Sequence, residues 1–170
     1  AIERAFGPYV PLELQVSSTG TETLFDPAPL GAIERLQIAW AQHPQLGAVT
    51  GLPDIVKQSM RAYSGDATAG LPDTRAGVTQ LLDVVYGQSK DGEGNLNALV
   101  DDRAPPPSTP VTARSGLPSA NTISAILDDL RARAASEPTV EMKPSGYLPL
   151  YVRITQNITE RKLAEERLRA

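Results

Sequence analysis

The sequence predicts an α+β fold of the ferredoxin-like, split-βαβ kind: a four-stranded antiparallel sheet with two helices on one face, and a helical insertion between the two βαβ halves. Two observations carry this. A strand-helix-strand pattern occurs twice with matching lengths, once before residue 52 and once after residue 110. The stretch between them has helical rather than strand periodicity. Two such units also satisfy the right-handed crossover rule without a knot.

The first strand spans Tyr9 to Val16. Val10, Leu12, Leu14 and Val16 alternate with Pro11, Glu13 and Gln15, the period of a half-buried strand. Pro11 places that strand at an edge, or itself at the strand start, because it cannot donate to a ladder. A polar loop, Ser17 to Phe25, leads to a helix with Asp26 as N-cap and Pro27 at the first helical position. Leu30, Ile33, Leu36 and Trp40 form its apolar stripe. The helix stops near His43-Pro44, since a residue before proline avoids the helical region. A strand follows around Val49, within residues 47–51. Gly51-Leu52-Pro53-Asp54 then turns the chain into a second helix, with Asp54 as cap and Ile55, Val56, Met60 and Tyr63 on its apolar side.

Ser64 to Asp73 is a break containing two glycines and a proline. A helix over Thr74 to Tyr86 carries Val78, Leu81, Leu82 and Val85, with Gly87 as its C′ residue. Leu96 to Val100 reads as one more helical turn. Ala-Pro-Pro-Pro-Ser-Thr-Pro, residues 104–110, is the strongest linker or loop signal. The opening pattern then returns: a strand at 111–115, a turn with capping residues at 116–121, and a helix over Asn121 to Ala135. That helix aligns Ile123, Ile126, Leu127, Leu130 and Ala134, and a strand at 139–143 follows it. After Gly146 the chain is helical to the end. Tyr151, Ile154, Ile158 and Leu168 share one stripe that Arg161 and Glu165 interrupt. Asn157 to Ala170 has the mixed charge of a solvated helix.

Composition excludes several function classes. Sixteen Lys and Arg against 20 Asp and Glu give a net charge of −4, and no run of five like charges occurs. A nucleic-acid surface and a polybasic membrane patch both need the opposite. The absence of Cys removes thiol chemistry and Cys-ligated zinc, and a single His hinders His-based metal sites and Ser-His-Asp triads. No apolar run reaches the ~18 residues a membrane span requires. The opening Ala-Ile-Glu-Arg is not a signal peptide, so the chain reads as cytosolic or as a piece of something longer.

His43 sits at a predicted helix C-terminus, where a charged imidazole would favour the dipole, and no orienting carboxylate or nucleophile can be named for it. Asp91-Gly92-Glu93-Gly94-Asn95-Leu96-Asn97 imitates a calcium loop. Leu96 occupies the position that requires glycine, and Asp102 the position of the bidentate Glu. Gly92-Glu93-Gly94 lacks the third glycine and the preceding strand of a phosphate loop. Asp128-Asp129 and Glu165-Glu166 are helix neighbours about 100° apart, so neither is an acid–base dyad. The sequence therefore predicts no catalytic residue, no metal and no cofactor: not an enzyme. The remaining signal is apolar. Met60, Tyr63, Tyr86, Tyr147 and Tyr151 are candidate lining residues for an apolar ligand, since Met adapts its shape and Tyr offers a ring with a polar tip.

Two stretches resemble the periplasmic loop of RND-superfamily exporters, of the MMPL and hopanoid- or sterol-transporter type. One is Phe6-Gly7-Pro8-Tyr9-Val10-Pro11-Leu12-Glu13-Leu14, with the helix from Asp26 to Trp40 and Gly47-Ala48-Val49-Thr50-Gly51-Leu52. The other runs from Val111-Thr112-Ala113-Arg114 and Leu117-Pro118 through the second amphipathic helix. It continues to Val140-Glu141-Met142-Lys143 and Gly146-Tyr147-Leu148-Pro149-Leu150-Tyr151-Val152-Arg153. In that family the loop leaves the first transmembrane helix through a strand, a helix and a strand, enters a helical region, and returns through a second such half. The division expected here is a first βαβ half at 1–53, the insertion at 54–103, the second half at 104–150, and a charged helix at 151–170 leading toward a membrane span.

The resemblance implies a porter domain on the periplasmic side of a bacterial inner membrane. Such a domain takes an apolar lipid of the sterol, hopanoid or fatty-acyl class, while proton coupling resides in transmembrane helices elsewhere. Its implied partners are the lipid, a periplasmic carrier protein and the membrane through flanking helices, with no nucleic acid. A docking module without its own ligand is the alternative. Ile158-Thr159-Glu160-Arg161-Lys162-Leu163-Ala164-Glu165-Glu166-Arg167-Leu168 departs from the family pattern and resembles the exit helix of PAS sensor domains. That leaves a PAS-like sensor fragment as a third, remote reading.

Overall fold

The computed structural model describes residues 10–86, 99–103, 105–116 and 119–169. The elements in chain order are β1 (Val10–Ser18), α1 (Pro27–Ala41), β2 (Leu46–Thr50), α2 (Leu52–Ser64), α3 (Arg75–Tyr86), β3 (Ser108–Ser115), α4 (Ala120–Ala134), β4 (Val140–Ser145) and α5 (Tyr147–Arg169). The strands form one sheet in the order β2-β3-β1-β4 with every neighbouring pair antiparallel. This is the ferredoxin-like arrangement, with α2 and α3 inserted between the two βαβ halves.

The alternation in β1 sets the inner face. Leu12, Leu14 and Val16 are buried, and they pair with Ala113, Val111 and Thr109 of β3, which are buried too. Met142 of β4 lies opposite Val16 on the other side. The outward residues Pro11, Glu13, Arg114, Glu141 and Lys143 are exposed, so one sheet face is open to solvent. Helices α1 and α4 cover the inner face with Leu30, Ile33, Leu36 and Trp40, and with Ile123, Ile126, Leu127 and Leu130. Trp40 is fully buried, and its indole N–H donates to the Leu130 carbonyl at 3.2 Å, tying α1 to α4. Arg35 of α1 clamps Glu137, just after α4, through two hydrogen bonds of 2.7 Å.

The prolines in the sheet each sit where only one strand pairs. Pro11 opposes Arg114 at the start of β1, before β4 joins at Glu13. β1 is thus a central strand with proline at its start. Pro144 lies on the edge strand β4. Pro110 pairs with Gln15 beyond the end of β2, whose pairing stops at Thr112. This lets β3 begin at Ser108, inside the stretch expected to be a linker.

The helix starts differ in detail from expectation. Asp26 is the N-cap of α1, but its carboxylate accepts from the backbone N–H and the hydroxyl of Thr23, at 2.6 and 2.8 Å, instead of from the helix. Pro29 occupies the third helical position and has no N–H to offer a cap. In α2 the N-cap is Gly51. Asp54 is the third helical residue and reaches back to the Gly51 N–H at 3.0 Å, the carboxylate half of a capping box. Thr74 caps α3 by accepting from the Gly77 N–H at 3.1 Å, and Ser119 caps α4 by accepting from the Thr122 N–H at 3.3 Å. The Phe6 to Tyr9 part of the first motif, Gly87, the calcium-like loop up to Asn97, and Leu117-Pro118 lie outside the described residues.

Candidate functional site

The insertion is built outward from α1. α2 lies against α1 and β3, burying Leu52, Pro53, Val56 and Ser59. Two polar links fix it there. Buried Gln37 of α1 donates its amide N–H to the Asp54 carboxylate, and Lys57 bonds Glu34 at 2.8 Å. α2 ends on Gly65, whose φ of 73° is the left-handed conformation that lets the chain reverse. The returning segment is held by Thr68, which donates N–H and O–H to Asp66, and by Arg61, which donates to the Ala69 carbonyl. α3 then packs on α2 with Val78, Leu81 and Leu82 buried. Val85, expected on that same face, is 42% exposed.

Between α2 and α3 lies an open apolar cleft of about 220 Å³, lined by Met60, Tyr63, Pro72, Gly77, Gln80, Leu81 and Val84. Gly77 lets α3 approach the preceding loop, since a Cβ there would stand 3.2 Å from the Pro72 Cβ and the Thr74 Oγ1. Tyr63 and Val84 are 69% and 46% exposed at the rim, so both apolar surface and a phenol side chain face solvent there. Gln80 supplies the other polar group. The cleft is smaller than the ~300–1,000 Å³ of sites that enclose a drug-sized molecule. It has room for one ring or a short aliphatic segment.

The five sequence candidates divide. Met60 and Tyr63 share this cleft. Tyr86 is the last residue of α3, and its side chain is outside the described set. Tyr147 and Tyr151 stack on one another on α5, ring centres 6.2 Å apart. α5 packs on α4, β1 and β4, whereas α2 packs on α1, α3 and β3, so the two pairs do not share a cleft. Pro72, Gly77, Gln80 and Val84 were not singled out from the sequence. Only Val84, an apolar residue adjacent to the core stripe of α3, carried a signal there.

A second groove, about 420 Å³, lies between α4 and α5 and is half polar, with Asp128, Arg131, Arg153 and Gln156 among its walls. Arg131 pairs there with Asp128 at 3.0 Å. The resolved ionisation shifts all have local causes. The Thr23 backbone N–H holds Asp26 below the usual carboxylate range, the Thr68 hydroxyl does the same for Asp66, and the Arg35 guanidinium does so for Glu137. Each shift strengthens the charged form, the opposite of what general acid–base chemistry near neutrality requires. His43 accepts the Gln45 N–H at Nδ1, 3.2 Å away, and so closes the turn after α1. Asp101 accepts the Arg103 N–H and bridges to Ser108 through its backbone. Among the described residues, no group of three His, Asp or Glu could hold a metal, and no helix is long and apolar enough to cross a membrane. Comparison of the chain with protein-family models, with curated proteins and with solved structures finds no match.

Proposed function

We propose that this chain is a non-catalytic substrate-handling domain of an RND-type exporter on the periplasmic side of a bacterial inner membrane, and that it passes apolar lipids of the sterol, hopanoid or fatty-acyl class. The observation that carries the reading is the α2–α3 cleft. It is an apolar concavity placed on the helical insertion, where Met60 and Tyr63 were expected to meet a lipid. The order strand, helix, strand, helical region, strand, helix, strand agrees with the order expected of such a loop. Lipid entering the cleft would lay its apolar body against Met60, Leu81 and Val84, with a hydroxyl or carboxylate near Tyr63 and Gln80.

Burying about six methylenes would contribute at most about 5 kcal/mol at ~0.8 kcal/mol each before the cost of association is subtracted, so binding no tighter than about 0.2 mM is expected. Titration with a fluorescent sterol and a fluorescent fatty acid tests this. Saturable binding in that range is expected, weakened roughly tenfold by Val84→Asp and by Met60→Asp. Absence of saturable binding to either probe, or binding indifferent to both substitutions, would refute the lipid-handling reading.

A further inference from the structure

We propose that the groove between α4 and α5 is a binding site for an aliphatic carboxylate, held by Arg131 from one helix and Arg153 from the other. The groove shares no residue with the α2–α3 cleft, and the proposal does not rest on the reading given to that cleft. Its volume of about 420 Å³ falls within the ~300–1,000 Å³ of small-molecule sites. Its walls are stripes of two neighbouring helices. Leu127 and Arg131 stand one turn apart on α4, and Val152 and Gln156 one turn apart on α5. Gln156 donates to Ser124 at 3.3 Å and links the two walls at the end where the α4 lining begins.

Charge is the first feature that selects the ligand. The ionised side chains of the lining are Arg131, Arg153 and Asp128, which leaves an excess positive charge in the groove of a chain whose net charge is −4. Asp129, the next acidic residue on α4, is taken by Arg133 at 2.6 Å. Arg131 gives Asp128 a single N–H, from Nη1 at 3.0 Å, and keeps its other donors. Arg153 makes no hydrogen bond or ion pair among the described residues. A guanidinium matches a carboxylate with two parallel N–H groups, and an anion between two guanidiniums relieves their mutual repulsion.

The floor is the second feature. Leu127 and Val152 line the groove and are otherwise buried, so a hydrocarbon chain lying there meets side chains with no polar group to satisfy. An inorganic anion would leave this floor uncovered, and a neutral apolar molecule would leave both guanidiniums unanswered. A chain that ends in a carboxylate uses both features.

Sodium octanoate added to the whole chain, followed by amide and methyl NMR, tests the site. The method separates shifts at Leu127, Val152 and the two arginines from shifts at Met60 and Leu81 in the α2–α3 cleft, so failure at one site is distinguishable from failure at the other. Saturable shifts at the α4–α5 residues are expected in the millimolar range. Arg153→Gln should weaken that binding roughly fivefold, as befits an exposed charge pair. Asp128→Asn should act in the opposite direction and tighten it roughly threefold, because it releases Arg131 and removes the opposing charge. Both side chains are exposed, so neither substitution should move the melting temperature. Acetate, which lacks the chain, and octanol, which lacks the charge, should each bind at least about tenfold more weakly. The proposal is overturned by the absence of saturable shifts at these residues, by acetate or octanol matching octanoate, by binding indifferent to Arg153→Gln, or by weaker binding in Asp128→Asn.

Discussion

Trp40→Ala removes the largest side chain of the core. Trp40 has no exposed surface, and it joins α1 to α4 across the inner face of the sheet. Its ring buries about 200 Å², worth about 5 kcal/mol at ~25 cal/mol per Å². Burial counted against an extended chain is an upper estimate, and the expected loss is about 4 kcal/mol, within the ~3–5 kcal/mol of Trp-to-Ala core substitutions. The indole hydrogen bond contributes little of it, about 0.5–1 kcal/mol, because the Leu130 carbonyl lies inside α4 and retains its place in the helical ladder. Trp40→Phe keeps most of the volume and loses the bond, so it should cost only about 1.5 kcal/mol. Urea unfolding followed by far-ultraviolet circular dichroism is the appropriate assay, since Trp40 is the one tryptophan and its fluorescence disappears with it. With an m-value near 2 kcal/mol/M, the alanine variant should unfold about 2 M earlier at unchanged m. A loss below about 1 kcal/mol, or equal losses for Phe and Ala, would refute the account of Trp40 as the packing centre between the two helices.

Two further outcomes test the frame around the insertion and the terminal helix. Gly146→Ala should cost about 1–3 kcal/mol, because φ is 76° and the new Cβ would stand 2.6 Å from Glu13 Oε2 and 3.2 Å from Glu13 Cβ. Adding Glu13→Ala should return only the contact part, measured as melting temperature. Arg35 holds the Glu137 carboxyl below its ordinary range, chiefly by hydrogen bonding. The pair therefore stabilises the fold above about pH 4.3, and that stabilisation is lost as pH falls through the depressed folded value. With the Arg35 side chain 60% exposed, Arg35→Met should cost under about 1 kcal/mol at pH 7. It should also flatten the acid limb of the stability curve; parallel curves for the two proteins would count against the pair.

Much of the architecture was legible because the signals it depends on are short-range. The alternation from Val10 to Val16, the Leu30–Trp40 stripe and the Ile123–Leu130 stripe each report which face is buried, and two matched βαβ units leave few sheet orders open. What was misread depended on neighbours that a single strand or helix does not reveal. The 104–110 segment reads as a linker because proline cannot serve a strand paired on both sides. Ser108 to Pro110 are nonetheless strand, since β2 stops at Thr112 and leaves that side unpaired. Asp26 reads as a helix cap because its type and position are right, yet Pro29 withdraws the N–H it would have bonded and Thr23 supplies others. The α2–α3 cleft was half visible for a related reason. Met60 and Tyr63 announce themselves by type, whereas Pro72, Gly77 and Gln80 line it only because the Gly65 reversal brings α3 back across α2.

α5 shows most clearly why periodicity finds faces and not their occupants. Leu148 and Val152 define one apolar direction on this helix, and Tyr147, Tyr151, Ile154 and Ile158 define another. Counting favours the second, and the fold buries the first. The physical difference lies in what each face carries. Leu148 and Val152 are buried with no polar group to satisfy, whereas Tyr147 and Tyr151 would take two phenol hydroxyls inside, where each needs a partner or costs roughly 1–3 kcal/mol. The tyrosines instead stay at the surface, where their rings stack on one another 6.2 Å apart and both residues remain exposed.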